Sequence, residues 1–348
     1  MTTLQDSTAL DRIWYTRCPV PTASGIAYNL GWLDEEFVPE GIGVGVLQDA
    51  EPEIAERHFD HRLVGLFREG GNVPAIVARS EGAPTRLIGL TWIDEWQSIL
   101  VREDSPVTGP ADLRGLRIAI PAWAQDRARS FPRAMALHGF ASALRLGGLG
   151  FDDVERVEVE GRAGRAPGND PARAALWPGL AELAAGDVDA VYVKGARSAE
   201  QARELGARTA VELDATADRS WRVNNGTPRP ITVHEQLLAE RPDVVVRFLV
   251  RSLRAATWAS THVDDVRAIL GREVGSGTDG VVTAYGDDFH RWLAPTLDDE
   301  RLALLDQQQH FLGEHGFLAE PVDVHAWAAH EPLQEALRIL AEDGGEAR

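Results

Sequence analysis

The chain has almost no sulfur. Its 348 residues include one cysteine, Cys18, and two methionines. A single thiol excludes an intramolecular disulfide, and the expected compartment is a reducing one, the cytoplasm. Lysine is nearly absent as well: Lys194 is the only one, and every other basic side chain of that class is an arginine. Positive charge as a whole is scarce, with 35 Lys and Arg against 54 Asp and Glu and a formal net charge of −19. That balance repels phosphate backbones and anionic lipid, so neither nucleic acid nor a membrane surface is an expected partner. No run of about 18 apolar residues occurs, which excludes a membrane-spanning helix. Met1 to Arg12 shows neither the basic start nor the apolar stretch of a signal peptide, again pointing to the cytoplasm.

What is present suffices for a large core. Hydrophobic residues make up 44% of the chain, and the length suits two domains or one bilobal unit. Short apolar runs read as strands at Ile13–Thr16, Val44–Leu47, Thr85–Trp92, Ser98–Arg102, Leu116–Pro121, Val154–Val159, Ala190–Val193 and Ala207–Leu213. Helical spacing appears at Thr22–Leu33, Ser130–Leu146 and Asp243–His262, and the chain after Val233 is largely helical. His58 to Arg68 reads as a loop passing into a helix. Gly161–Pro171, rich in Gly, Pro and Arg, reads as a surface loop. Strands alternating with helices predict an α/β protein.

Val101–Val107 followed by Ala111–Ala119 resembles the crossover into the second lobe of type II periplasmic-binding-protein folds. That resemblance implies a two-lobed α/β chain with a helical C-terminal segment. Residues 1–112 and 213–348 would form the first lobe and residues 113–212 the second, with the site in the cleft between them.

Taken alone, Cys18 has two readings. It is a small buried hydrophobe, or it is a reactive thiol at the bend Cys18-Pro19-Val20-Pro21. His58 and His61 read equally as surface histidines near a helix start, and no spacing around them supports a zinc site. Arg68 could pair with Glu69 or Glu56 at the surface, and Gly70-Gly71 could be an ordinary turn. Together these residues carry more. Tyr15 through Pro21, then His58-Phe59, then Arg68-Glu69-Gly70-Gly71 resemble the 2'-hydroxybiphenyl-2-sulfinate desulfinase family. Further similarity lies in Tyr285–Phe289, Leu302–Leu305 and Glu320–Ala329.

The resemblance implies a desulfinase that cleaves an aryl carbon–sulfur bond and releases sulfite, the last step of dibenzothiophene biodesulfurisation. It implies catalytic roles for Cys18, His58 and Arg68, with the Gly71 N–H joining them, and no metal or organic cofactor. Thr16, Phe59, Phe140, Lys194 and Arg229 are the further substrate-binding candidates. The chemistry asks for these residue types: a guanidinium fork can hold the two sulfinate oxygens, and His or Arg beside a thiol is expected to lower its pKa. Cys18 would serve either as proton donor to the ring carbon or as nucleophile at sulfur, with His58 tuning or reprotonating it.

The segments Thr91–Trp96, Tyr192–Arg197 and Asn224–Arg229 are more polar than the family's apolar pocket. Lys194, with Arg229, is therefore expected to meet a second anionic or polar group on the substrate; otherwise it is a solvent-exposed lysine after a strand. The expected partner is a small organosulfur anion, and the expected state a monomer. A cytoplasmic binding protein for sulfonate-like anions, using the same fold without chemistry, is the other reading.

Overall fold

The computed structural model describes residues 10–18, 20–160, 176–274 and 278–346. The Gly161–Pro171 loop read from the sequence lies outside them, as does Pro19. Among the described residues ten strands carry the architecture: β1 (Arg12–Tyr15), β2 (Gly43–Val46), β3 (Leu66–Glu69), β4 (Thr85–Thr91), β5 (Gln97–Arg102), β6 (Arg117–Pro121), β7 (Glu155–Val159), β8 (Val191–Lys194), β9 (Ala207–Glu212) and β10 (Arg229–His234). The first sheet has the order β2-β1-β3-β10-β4. Its first three strands are parallel, and β10 runs antiparallel to both of its neighbours.

A helix spanning Pro242–Ala259 covers this sheet. Proline is tolerated at its first turn because that N–H has no intrahelical acceptor. Val244, Val245, Phe248, Leu249, Leu253 and Ala256 recur at three- and four-residue spacing and form its buried face. Phe248 stacks on Phe67 of β3, with ring centroids 3.9 Å apart. Burying one such ring is worth about 1.5–3 kcal/mol, so this contact fixes β3 under the helix. The stretch expected as a single helix over Thr22–Leu33 is two, Ala23–Asn29 and Trp32–Phe37. Gly31 breaks it, at φ 79°, a conformation that favours glycine.

The second lobe is built on β8-β5-β9, with the pair β6-β7 joined alongside through a bridge between Ile118 and Ala190. β5 pairs with β8 and β9. The chain therefore crosses into the second sheet between Thr91 and Gln97, earlier than the boundary expected at residue 112. It returns along β10. Among the described residues no helix is long and apolar enough to cross a membrane.

β3 is the strand that the sequence reading places in a loop and helix. Two of its four residues are charged, and neither is on the surface: Arg68 and Glu69 are each 1% exposed. The strand holds because its backbone is tied on both sides. β1 pairs with it in parallel, and Ile231 and Thr232 of β10 face Glu69 and Arg68. The turn Arg57–Asp60 delivers the chain to β3 through His61, at φ 57°.

Thr16 adds a latch just after β1. Its hydroxyl donates to the Glu69 carbonyl at 2.6 Å and accepts from the Glu69 N–H at 2.9 Å. Replacing it by valine keeps the shape but removes both of these buried hydrogen bonds. We expect Thr16→Val to cost about 1–3 kcal/mol, read by urea denaturation, whereas Thr16→Ser keeps most of the stability.

Candidate active site

The carboxyl ends of the parallel strands, where ligands bind in open α/β sheets, gather the site residues. Cys18 lies three residues beyond β1 and is 5% exposed. Its thiol donates to the carbonyl of Glu69 at 2.9 Å. One backbone carbonyl thus receives both the Thr16 hydroxyl and the Cys18 thiol. Burial pushes the thiol pKa up, and the charges of Arg229 and Arg68 oppose that shift without reversing it. The expected thiolate beside a protonated histidine is therefore not the resting state; Cys18 rests as a thiol.

His58 is also uncharged, because burial and then the Arg68 charge push its pKa well below the ordinary range. Its Nε2 faces Arg68 Nη2 at 3.3 Å, which makes Nε2 the acceptor and puts the ring proton on Nδ1. Its carbonyl accepts from Arg68 Nε at 3.0 Å. Among the described residues His58 makes no hydrogen bond to Cys18. Its two contacts with Arg68 make it a positioning residue for that guanidinium. His61 is 3% exposed, its ring nitrogens have no hydrogen-bond partner, and burial keeps it neutral too.

Arg68 is neither on the surface nor paired with Glu69 or Glu56. Its neighbour in β3, Glu69, points to the opposite face, and Glu56 pairs with Arg129 at 3.7 Å. Two nitrogens of Arg68 are spent on His58, and Nη1 has no partner. Burial lowers the guanidinium pKa to about 10, so it stays charged at neutral pH. The two-toothed grip on a sulfinate expected of Arg68 alone is thus half committed to His58.

Gly71 precedes the helix Asn72–Ser80, at whose N-terminus the Val73 N–H is taken by Asn225 Oδ1 at 3.0 Å. The Gly71 N–H makes no hydrogen bond among the described residues. A Cβ at Gly71 would stand 2.3 Å from Asn225 Oδ1, so only glycine fits under that side chain. The Gly70 N–H differs: it donates to the Pro230 carbonyl at 3.3 Å, tying this turn to the start of β10. Phe59 is half-buried, edge-on to the His58 ring at 5.0 Å and under the Arg129 guanidinium at 4.5 Å.

Three candidates change role. Thr16, with its hydroxyl engaged twice by Glu69, is the latch described above and not a substrate contact. Phe140 lies on the helix Phe131–Leu146, fully enclosed. Met135 is the residue of that helix that meets Asn224 and Asn225. Five residues on, Phe140 stands about 140° round the axis and serves the core. Lys194 is neither exposed nor free. Its Nζ pairs with Glu95 at 3.4 Å, both side chains being buried, and sits 3.4 Å from the Asn225 carbonyl. Burial lowers its pKa, and Glu95 restores part of the loss. Its charge is thus already matched by Glu95.

Arg229, the remaining candidate, is buried. It opens β10 and is 5% exposed, and no hydrogen bond or ion pair holds it among the described residues. The sequence reading missed Glu69, whose buried carboxyl accepts from the Ser24 hydroxyl at 2.6 Å and the Thr91 hydroxyl at 3.1 Å. Burial raises its pKa. It also missed Glu95, held by Tyr285 Oη at 3.2 Å as well as by Lys194. The signal for Glu95 was its setting in the polar segment Thr91–Trp96; for Glu69 there was none beyond its adjacency to Arg68.

Removing one partner of a buried ion pair strands the other. Lys194→Met is expected to lose about 3–5 kcal/mol of stability, and Glu95→Leu in the same chain to restore much of it. Denaturant titration of the single and double variants checks this; a stable single variant with a raised Michaelis constant would return Lys194 to substrate binding.

Residues 26–265 match the family model described as NMT1/THI5 like. The 2'-hydroxybiphenyl-2-sulfinate desulfinases of Rhodococcus erythropolis and Rhodococcus qingshengii are each 33% identical to this chain, across 95% of both proteins. The crystal structure of a cysteine-to-serine variant of DszB in complex with biphenyl-2-sulfinic acid superposes with a TM-score of 0.76 at 30% identity, over 95% of this chain and 99% of that one. The periplasmic aliphatic sulphonate binding protein SsuA of Escherichia coli shares the fold, with a TM-score of 0.66 at 18% identity over 92% of this chain and 91% of that one. The chain belongs to the NMT1/THI5-like family and, within that fold, to the 2'-hydroxybiphenyl-2-sulfinate desulfinase family.

Proposed function

We infer that this chain is a desulfinase, hydrolysing the carbon–sulfur bond of an aryl sulfinate to the arene and sulfite, with Cys18 as its proton donor. The observation that carries the role of Cys18 is its resting state: a buried thiol that donates a hydrogen bond to the Glu69 carbonyl, with two guanidiniums nearby. A proton held on sulfur is available to a carbon acid–base step.

The sulfinate lies with its oxygens toward Arg68 Nη1 and the Gly71 N–H. The thiol proton passes to the ring carbon that bears sulfur, and the carbon–sulfur bond breaks with its electron pair. The arene, sulfur dioxide and the Cys18 thiolate result. Water then adds to sulfur dioxide, giving hydrogen sulfite and a proton that restores the thiol. Negative charge moves from the sulfinate oxygens to Cys18 sulfur, staying within the field of Arg68 and Arg229 throughout. His58 holds Arg68 in place, and its neutrality keeps a third positive charge out of the pocket.

The substrate we propose is 2'-hydroxybiphenyl-2-sulfinate or a more polar analogue, on the strength of the desulfinase relatives and of the sulfinic acid bound by the cysteine variant of DszB. Incubation with 2'-hydroxybiphenyl-2-sulfinate should release sulfite, measured colorimetrically. Cys18→Ser should lower the rate by about 10²–10⁴-fold, the range for loss of a positioned proton donor. Tight binding of the sulfinate with no sulfite from the unaltered protein would instead favour a binding protein for sulfonate-like anions.

A further inference from the structure

Buried charges in folded proteins are paired, and Arg229 is not. It is 5% exposed, its Nε has no partner, and among the described residues it forms no ion pair, although its charge acts on the buried Glu69 carboxyl. Its surroundings place it in the site. The adjacent Pro230 carbonyl accepts from the Gly70 N–H, and Arg229 itself pairs with Thr91, whose hydroxyl bonds Glu69. The loop that precedes it folds over it: a Cβ at Gly226, which has φ 113°, would stand 2.8 Å from Arg229 Nη2 and 3.4 Å from Lys194 Nζ. Lys194 is neutralised there by Glu95, and Arg229 is left over.

Among the described residues Arg68 Nη1, Arg229 Nε and the His58 Nδ1–H are buried without partners, and the Gly71 N–H makes no hydrogen bond. They are more than a sulfinate uses, since it has two oxygens and one charge. They suit an anion with three oxygens on a pyramidal centre and a second charge. Hydrolysis produces one: hydrogen sulfite keeps three oxygens on sulfur and loses its remaining proton near neutral pH.

We infer that Arg229 is the second guanidinium of an oxyanion site shared with Arg68 and Gly71, and that this site binds inorganic sulfite more tightly than a simple sulfinate. The enzyme would then be held back by its own inorganic product, and Arg229 would set the strength of that inhibition. The inference rests on the desulfinase reading only in naming sulfite as product.

Calorimetric titration of the whole protein with sodium sulfite and with methanesulfinate tests it without any turnover. The unaltered protein should bind sulfite at least ten-fold more tightly. Arg229→Met should lower sulfite affinity roughly 30-fold or more, the range for removing one partner of a buried charge pair, and abolish the preference. Arg229→Lys should recover part of it. Because Arg229 has no internal partner, Arg229→Met should keep its thermal midpoint; unfolding of that variant would reveal an internal partner and overturn the inference. Sulfite affinity unchanged in Arg229→Met, as expected if Arg229 serves a group elsewhere on the substrate, would also overturn it. Turnover of an aryl sulfinate without measurable sulfite binding defeats this inference alone. Strong sulfite binding with no turnover of any sulfinate defeats the desulfinase reading and leaves the anion site standing.

Discussion

The site depends on one backbone carbonyl. The Glu69 carbonyl receives the Thr16 hydroxyl and the Cys18 thiol, while the Glu69 N–H returns a bond to Thr16. That knot ties the end of β1 to the end of β3. It sets where the sulfur stands and, through the next residue in each direction, where the Arg68 guanidinium and the Gly70-Gly71 turn begin. Because the strand is short and its charged side chains are enclosed, each must be satisfied locally. Arg68 finds His58, with Nη1 left over, and Glu69 finds two hydroxyls.

Electrostatics then follow from burial. Burial keeps the thiol protonated despite two nearby guanidiniums, and burial together with the Arg68 charge keeps the two imidazoles neutral. Three cationic side chains, Arg68, Arg229 and Lys194, stand near the carboxyls Glu69 and Glu95, and the charge of Glu273 also reaches Cys18. Guanidiniums held locally within a chain of net charge −19 can attract a small anion while the chain as a whole repels bulk polyanions. The likeness to sulphonate-binding proteins at 18% identity speaks to the fold alone.

Much of this was legible in the sequence. Period-two apolar runs marked most strands to within a residue or two, and the spacing from Val244 to Ala256 marked the covering helix. The order of Cys18, His58 and Arg68 pointed to the site. What stayed hidden was set by tertiary contact. β3 reads as polar because half of its residues are charged, and only the partners brought by β1, β10 and His58 make them buriable. Lys194 reads as a free cation until Glu95, 99 positions earlier in the chain, is folded against it. Phe140 and Met135 share a helix, and only its rotation shows which one meets the loop before β10. A low thiol pKa was expected from cationic neighbours; burial outweighed them.

The account stands most directly on the protonation state of Cys18, and a chain with one cysteine makes that simple to measure. Thiolate absorbance in the near ultraviolet, followed while pH is raised and corrected against Cys18→Ser, reports this residue alone. A step above the ordinary thiol range is the predicted result, since burial holds the proton on sulfur. A step below neutral pH would mean that Cys18 rests as a thiolate, and would replace the proton donor with a nucleophile.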